Sequence, residues 1–417
     1  METQYYRTRA ELIGEVHARP FDPVDVPSRV LHFGFVIEDE GGRRAVAFHR
    51  RLAALAGNDG DEGALRLTLF EVDGVVLRWE RHTEFATLTA FLAAGRGNPG
   101  VELLPASVRS LFERPPGPLL VATEIAVLPR APKGPSRFDA ASYCESALRG
   151  GAARVQTDFR TGAGGFTRFV LIADRADPRL TGVLVRQLLE IETYRTFAML
   201  GLPLSRRLSP ILTRIESSLA EAAVEMRDQA GLDTNRDLLE KLTALAADLE
   251  AESASGSFRF GATAAYHEIL FDRLEALQET QLEGHPTLAG FLTRRLTPAI
   301  RTTRAAAERI AELSRRLTRA ANLLRTRVDI QLEGQNQSLL RSMDRRARLQ
   351  LRLQQTVEGL SVAAVSYYVV GLIGYLAKGA KGAGLPINGD VAAALCVPVV
   401  MLAVWWLVRR IRRGHSE

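Results

Sequence analysis

Hydrophobic and polar positions change character near residue 177. Before it, short β-rich apolar runs alternate with turn residues: Val30 to Glu38, Leu65 to Val72, Val75 to His82, Leu119 to Leu128, Ala153 to Arg160 and Phe166 to Ala173. Runs of this length bounded by Gly, Pro, Asn and Asp predict strands. Asp73-Gly74 and the Gly162 to Gly165 cluster each join two runs, which predicts hairpins. Short helical candidates lie between them, around Val46 to Leu55, Glu84 to Ala94, Ala106 to Glu113 and Phe138 to Leu148. The fold class expected is α+β, with an N-terminal α/β domain over residues 1–177 and a sheet at least partly antiparallel.

Beyond Pro178 the pattern is helical almost throughout. One helix runs from about Arg179 to Leu200, a second from Pro210 toward Ala251 before a break at Ser253 to Ser257, and a third over Ala262 to Glu283. From Pro286 the pattern continues without a stop. Ile310, Leu313, Leu317, Ala320, Leu324 and Val328 follow three-four spacing, which marks a helix with one packed seam. Residues 178–357 therefore read as a helical and stalk region. An unbroken helix from Thr287 to Ala377 would reach about 135 Å at about 1.5 Å per residue, with Pro298 and Gly334 as places for a bend. Such a helix needs neighbours or copies of itself to cover its seam.

Two apolar stretches close the chain, Gly359 to Ala377 and Val391 to Val408, and Arg409, Arg410, Arg412 and Arg413 follow the second. A bilayer core of about 30 Å needs roughly 20 apolar residues in a helix, so the pair predicts a two-helix transmembrane hairpin over residues 358–417. Tyr367, Tyr368, Tyr375, Trp405 and Trp406 are suited to the interfaces. Arg341, Arg345, Arg346, Arg348 and Arg352 precede the first stretch, whereas the loop between carries Lys378 and Lys381. Basic residues stay on the cytoplasmic side, so both termini are expected there and the protein is expected to be multi-pass. Met1 to Ala10 has no apolar core, and no secretory signal is read.

Composition adds bounds. The 417 residues are 46% hydrophobic and 24% charged, which suits a globular chain of two or three domains. The net charge of +6 gathers beside the apolar stretches, where anionic lipid contributes about 1 kcal/mol per basic residue. The bilayer is thus the expected partner and nucleic acid is not, since no basic patch interleaves with aromatics. Two cysteines, Cys144 and Cys396, suggest no disulfide framework.

Four segments carry a resemblance: Glu15-Val-His-Ala-Arg-Pro20, Trp79-Glu-Arg-His-Thr-Glu-Phe85, Leu189-Glu-Ile-Glu-Thr-Tyr-Arg195 and Gln354-Gln-Thr-Val-Glu-Gly-Leu-Ser361. Together they resemble an uncharacterised bacterial family of membrane-anchored proteins defined by a domain of unknown function. That resemblance covers nearly the whole chain and implies the bacterial inner membrane but no activity. The order of domains is also similar in plan to CorA-type metal-ion transporters, which are pentamers whose first spans line the pore. Their Gly-Met-Asn tripeptide is replaced here by a stretch from Gly374 to Gly379 that includes Lys378, so magnesium selectivity does not carry over.

Candidate chemistry is sparse. Glu80, His82 and Glu84 alternate and would share one strand face as ligands for a divalent cation, against the preferred reading of a solvated face paired with Arg66 or Arg78. Glu15, His17, Arg19 and Pro20 form a second set, read as a loop pinned by proline rather than a catalytic histidine. Glu192 and Arg195 are spaced to pair on a helix. Thr161 to Phe166 lacks the Lys-Ser/Thr of a phosphate loop and is read as a turn.

Glu358 sits at the cytoplasmic mouth of the first stretch. Gly359, Ala363, Tyr367, Gly371 and Gly374 fall along one side of it and permit close helix approach. These residues, with Lys378, are the pore candidates. No catalytic set and no resident cofactor is read, so the protein is not expected to be an enzyme. The expected function is a homo-oligomeric channel or transporter; the alternative is a non-conducting scaffold with a cytoplasmic protein partner.

Overall fold

A computed structural model of the chain describes residues 22–37, 42–57, 67–94, 100–132, 138–162, 164–228, 231–382 and 389–414. The Asp73-Gly74 hairpin joins β2 (Leu67–Val72) to β3 (Val75–Arg81), with both turn residues at positive φ. β1 (Ser28–Val36), β4 (Phe85–Ala93), β5 (Leu119–Leu128), β6 (Cys144–Leu148), β7 (Ala153–Thr161), β8 (Thr167–Ile172) and β9 (Glu279–Gln281) complete a nine-stranded sheet ordered β2-β3-β4-β1-β5-β8-β7-β6-β9. β5 and β8 pair in parallel, and every other neighbouring pair is antiparallel.

Both faces of the sheet are covered. On one face Leu31, Phe33 and Phe35 meet Phe48 and Leu52 of α1 (Arg43–Leu55), with Trp79 stacked on Phe48. On the other, Val30, Ile125 and Val127 meet Leu184, Leu188 and Ile191 of α3 (Pro178–Ala198). A short helix, α2 (Ala106–Ser110), adds Val108 to the first face. Because successive side chains alternate, His32, Arg78 and Glu80 fall on the α3 face while Leu31, Leu77 and Trp79 fall on the other.

This double burial corrects two expectations. Residues 84–94 were expected to be helical but form β4, and none of 138–148 is helical: it is turn and bend followed by β6. Strands covered on both faces lose the polar alternation that identifies half-exposed ones, and helix-favouring Ala, Leu and Glu then mislead.

Four more helices follow: α4 (Gly201–Asp228), α5 (Leu232–Ala276), α6 (Leu288–Gly382) and α7 (Gly389–Gly414). The expected break at Ser253 to Ser257 lies inside α5, and the chain interrupts at Gly231 instead. Small residues there serve packing: a side chain at Gly256 would press on the ring of Phe260. Gly201 lets α4 approach Thr263 of α5 and Thr303 of α6, which lie where its Cβ would sit.

α6 is capped by β9, since Glu279 accepts from the amides of Leu288 and Ala289 at 3.0 and 2.9 Å. It is continuous through Pro298 and Gly334. Of its predicted seam, Ile310, Leu313, Leu317, Leu324 and Val328 are buried and Ala320 is half-buried.

The chain divides into two compact units, Met1–Glu225 with Glu240–Ala321, and Met226–Leu239 with Asn322–Glu417. Among the described residues one helix, α6, is long and apolar enough to cross a membrane, and its apolar stretch is almost wholly exposed. Both cysteines are free.

Candidate functional site

The α3 face of the sheet borders a partly open cavity of about 50 Å³ lined by both charged and apolar side chains, room for a few water molecules. Local sequence explains its walls. Asp177 caps α3 by accepting from the Leu180 amide at 2.7 Å, and Pro178 follows at the first helical position. At Gly182 any side chain would collide with the Asp22 carbonyl, so the glycine lets the Asp22–Pro23 segment lie on the helix. Val24 then donates to the Pro178 carbonyl at 2.9 Å, and the Asp22 carboxylate reaches Arg78 of β3 at 2.7 Å.

From Arg78 a chain of alternating charge crosses the cavity. Arg78 pairs with Glu80, Glu80 lies 3.7 Å from His82 and 4.0 Å from Arg186 of α3, Arg186 pairs with Glu190 at 2.8 Å, and Glu190 also holds Arg273 of α5. Burial by itself would raise the Glu80 carboxyl, but His82, Arg78 and Arg186 outweigh it and hold the group at about 2. Glu80 is therefore a permanent carboxylate, and three acidic groups balance three arginines.

The floor is His32. Its Nδ1 lies 2.8 Å from the Thr89 hydroxyl and its Nε2 3.0 Å from the Thr193 hydroxyl. Thr193 donates its own proton to the Leu189 carbonyl, so it accepts from His32, which places the imidazole proton on Nε2 and makes Nδ1 the acceptor from Thr89. Burial lowers the His32 pKa to about 4, with the nearby charges as smaller influences. The ring is neutral at physiological pH.

The divalent-cation trio does not converge. β3 ends at Arg81, and the turn that follows, closed by His82 N–H donating to the Phe85 carbonyl at 2.8 Å, breaks the strand alternation. His82 stacks on Phe85 beside Glu80, while Glu84 is buried toward α5 with Arg259 at 2.6 Å and pushes the Tyr266 hydroxyl further up than burial alone does. Among the described residues no group of three or more His, Cys, Asp or Glu side chains is arranged to hold a metal ion.

Two of the four sequence motifs meet at this cavity. Glu80, His82 and Phe85 come from the first, and Leu189, Glu190, Thr193 and Tyr194 from the second. Glu192 and Arg195 form the expected i,i+3 pair. Gly162 to Phe166 is a turn, with Gly162 N–H donating to the Phe166 carbonyl at 2.9 Å. Glu15, His17, Arg19 and Pro20 lie outside the described residues. Asp22, His32 and Arg186 escaped the sequence reading. The available signal was His32, a lone imidazole in a strand otherwise built to be buried on both faces.

The remaining candidates lie on α6 in the second unit. Glu358 and Gly374 are half-buried, whereas Gly359, Ala363, Tyr367, Gly371 and Lys378 are exposed. Ser366, between them, is buried.

A family model described as Protein of unknown function (DUF3422) matches residues 4–415, and the chain belongs to that family. No curated protein matches it.

Proposed function

We propose that this chain is a homo-oligomeric, CorA-like channel or transporter of the inner membrane without the Gly-Met-Asn motif. In this reading α6 and α7 are a transmembrane hairpin, and the α6 helices of several copies surround an ion path. The observation that carries it is the surface of α6: beyond residue 329 it exposes Ile330, Leu339, Leu340, Met343, Leu349 and Leu353 ahead of an apolar stretch that is equally uncovered. That much exposed apolar surface is unfavourable in water, and lipid together with sister helices removes it. α7 fits as the return helix. Leu395, Val399, Leu402 and Leu407 are exposed, and Arg409 and Arg410 fold over Trp405 and Trp406, an arrangement suited to a cytoplasmic interface.

Glu358 stands at the mouth of the span. Purified protein in lipid vesicles is expected to pass ions, and Glu358→Gln is expected to change that flux severalfold; a monomer by native mass spectrometry, or no flux from the parent protein, refutes the channel. Labelling of cysteines placed near Gly382 from outside the cell tests the hairpin.

One observation favours a second reading. The charge-lined cavity is complete within the first unit and needs no conduction to act, which suits a membrane-anchored binding or regulatory protein with a cytoplasmic partner.

A further inference from the structure

Away from that cavity, β7 departs from its register with β8 between Thr157 and Thr161. Within this bulge Phe159 takes φ 54°, a conformation that bulky side chains avoid. Bulges re-aim side chains, and this one brings the Phe159 ring over Phe291 in the first turn of α6, with centroids 5.4 Å apart and planes within 13°. The Arg195 guanidinium lies 5.3 Å from the Phe159 ring centre, and that of Arg295 lies 4.6 Å from the Phe291 ring centre. These groups line a cleft of about 220 Å³ whose other apolar walls are Met199, Leu292 and Leu296.

Hydrogen bonding around the cleft is one-sided. Arg160 gives Nε to the Ser142 hydroxyl at 2.9 Å and Nη1 to Asp139 at 2.7 Å. Arg195 gives Nε and Nη2 to Glu192. Asp158 holds the amides of Asp139 and Arg160, one on each carboxylate oxygen, at 2.9 and 3.0 Å. The acidic groups are thus engaged with protein donors. Nη2 of Arg160, Nη1 of Arg195 and the whole Arg295 guanidinium have no acceptor among the described residues.

We propose that this cleft binds a small organic anion, a carboxylate or phosphate carried on a flat apolar body. The surplus guanidinium donors take the anionic group, since such groups recognise planar oxyanions, and the phenylalanine and leucine walls take the body. An occupant touches β7, the end of α3 and the first two turns of α6, joining the sheet to the root of the long helix. This site goes beyond the channel reading and does not depend on it, because binding is measured without flux.

The test is calorimetric titration of the full-length protein in nanodiscs with three probes: naphthalene-2-carboxylate, naphthalene-2-carboxamide and inorganic phosphate. The carboxylate is expected to bind about tenfold or more tightly than the neutral amide, the difference one charge-assisted hydrogen-bond pair makes, and more tightly than phosphate. Arg295→Gln changes an exposed side chain whose guanidinium lies over the Phe291 ring, and is expected to weaken the carboxylate about tenfold while the protein stays folded. Phe159→Gly relieves the positive φ but deletes a buried ring packed on Phe169 and Phe291, so it lowers the melting temperature as well as the affinity, and the affinity is read well below that temperature. Absence of carboxylate binding, equal binding of the amide, phosphate binding as tight as the carboxylate, or affinities unchanged in both variants each overturns the proposal.

Discussion

Around α3, charged side chains are buried; along α6 beyond residue 329, large apolar ones are exposed. Arg78 and Glu80 keep 7% and 18% of their side-chain surface, whereas Leu353 and Leu360 keep 68% and 74% of theirs. Each region inverts the usual partition of a water-soluble domain, and such inversions are the informative ones. The first is stable because every buried charge has an opposite neighbour in reach, and the cost of stripping water from one is offset by the others. The second is stable only if something other than water lies against it. One region solves its problem inside a single chain, and the other does not.

The sharpest way to break the contrast is to unbalance the buried charges. Glu80→Ala leaves Arg78 and Arg186 facing each other across a cavity, and a loss of about 3 to 5 kcal/mol in stability is expected, read by chemical denaturation of the first unit's signal in the full-length protein. A melt unchanged by this substitution means the cavity is open to bulk water.

Acid should come next in size. The folded pKa of His32, about 4, lies below its unfolded value of about 6.5, so the unfolded chain holds the extra proton between those limits. Stability then falls as pH drops from about 6.5 to about 4, by about 3 kcal/mol in total, and is unaffected by His32 above that window. Replacing His32 with Gln should flatten this slope, whatever it does to the absolute melting point.

On α6 the expected effect moves from fold to assembly. Leu353→Glu changes the stability of a single chain by no more than about 0.5 kcal/mol, because the side chain is already exposed. The same substitution should lower the oligomeric mass measured in detergent. Retained mass, or a monomer already in the parent protein, counts against contact between copies through this face.

Much of the local structure was readable in advance. Asp73-Gly74 and Gly162 to Gly165 announce their turns because few residues accept positive φ, and Leu119 to Leu128 appears as a strand with the expected limits. The α6 seam at Ile310, Leu313 and Leu317 follows from helical spacing alone. β4 and β6 were misread, since burial on both faces removes the alternation that a sequence displays. Glu80 and His82 could be singled out by type, but their neighbour in sequence, Glu84, was wrongly joined to them because strand alternation was carried past the end of β3.

What the linear order decided is therefore whatever rests on neighbours within a few residues: the change to helix near residue 177, the hairpin turns, the seam and the apolar stretches. Only folding could decide that Asp22, Arg78, Glu80, Arg186 and Glu190 make one charge chain, or that Phe159 stacks on Phe291 across more than a hundred residues. Periodicity reports which face a residue occupies, and it carries no information about which distant face is brought opposite. That choice is made by packing, where a glycine at residue 182 or a bulge in β7 sets who meets whom.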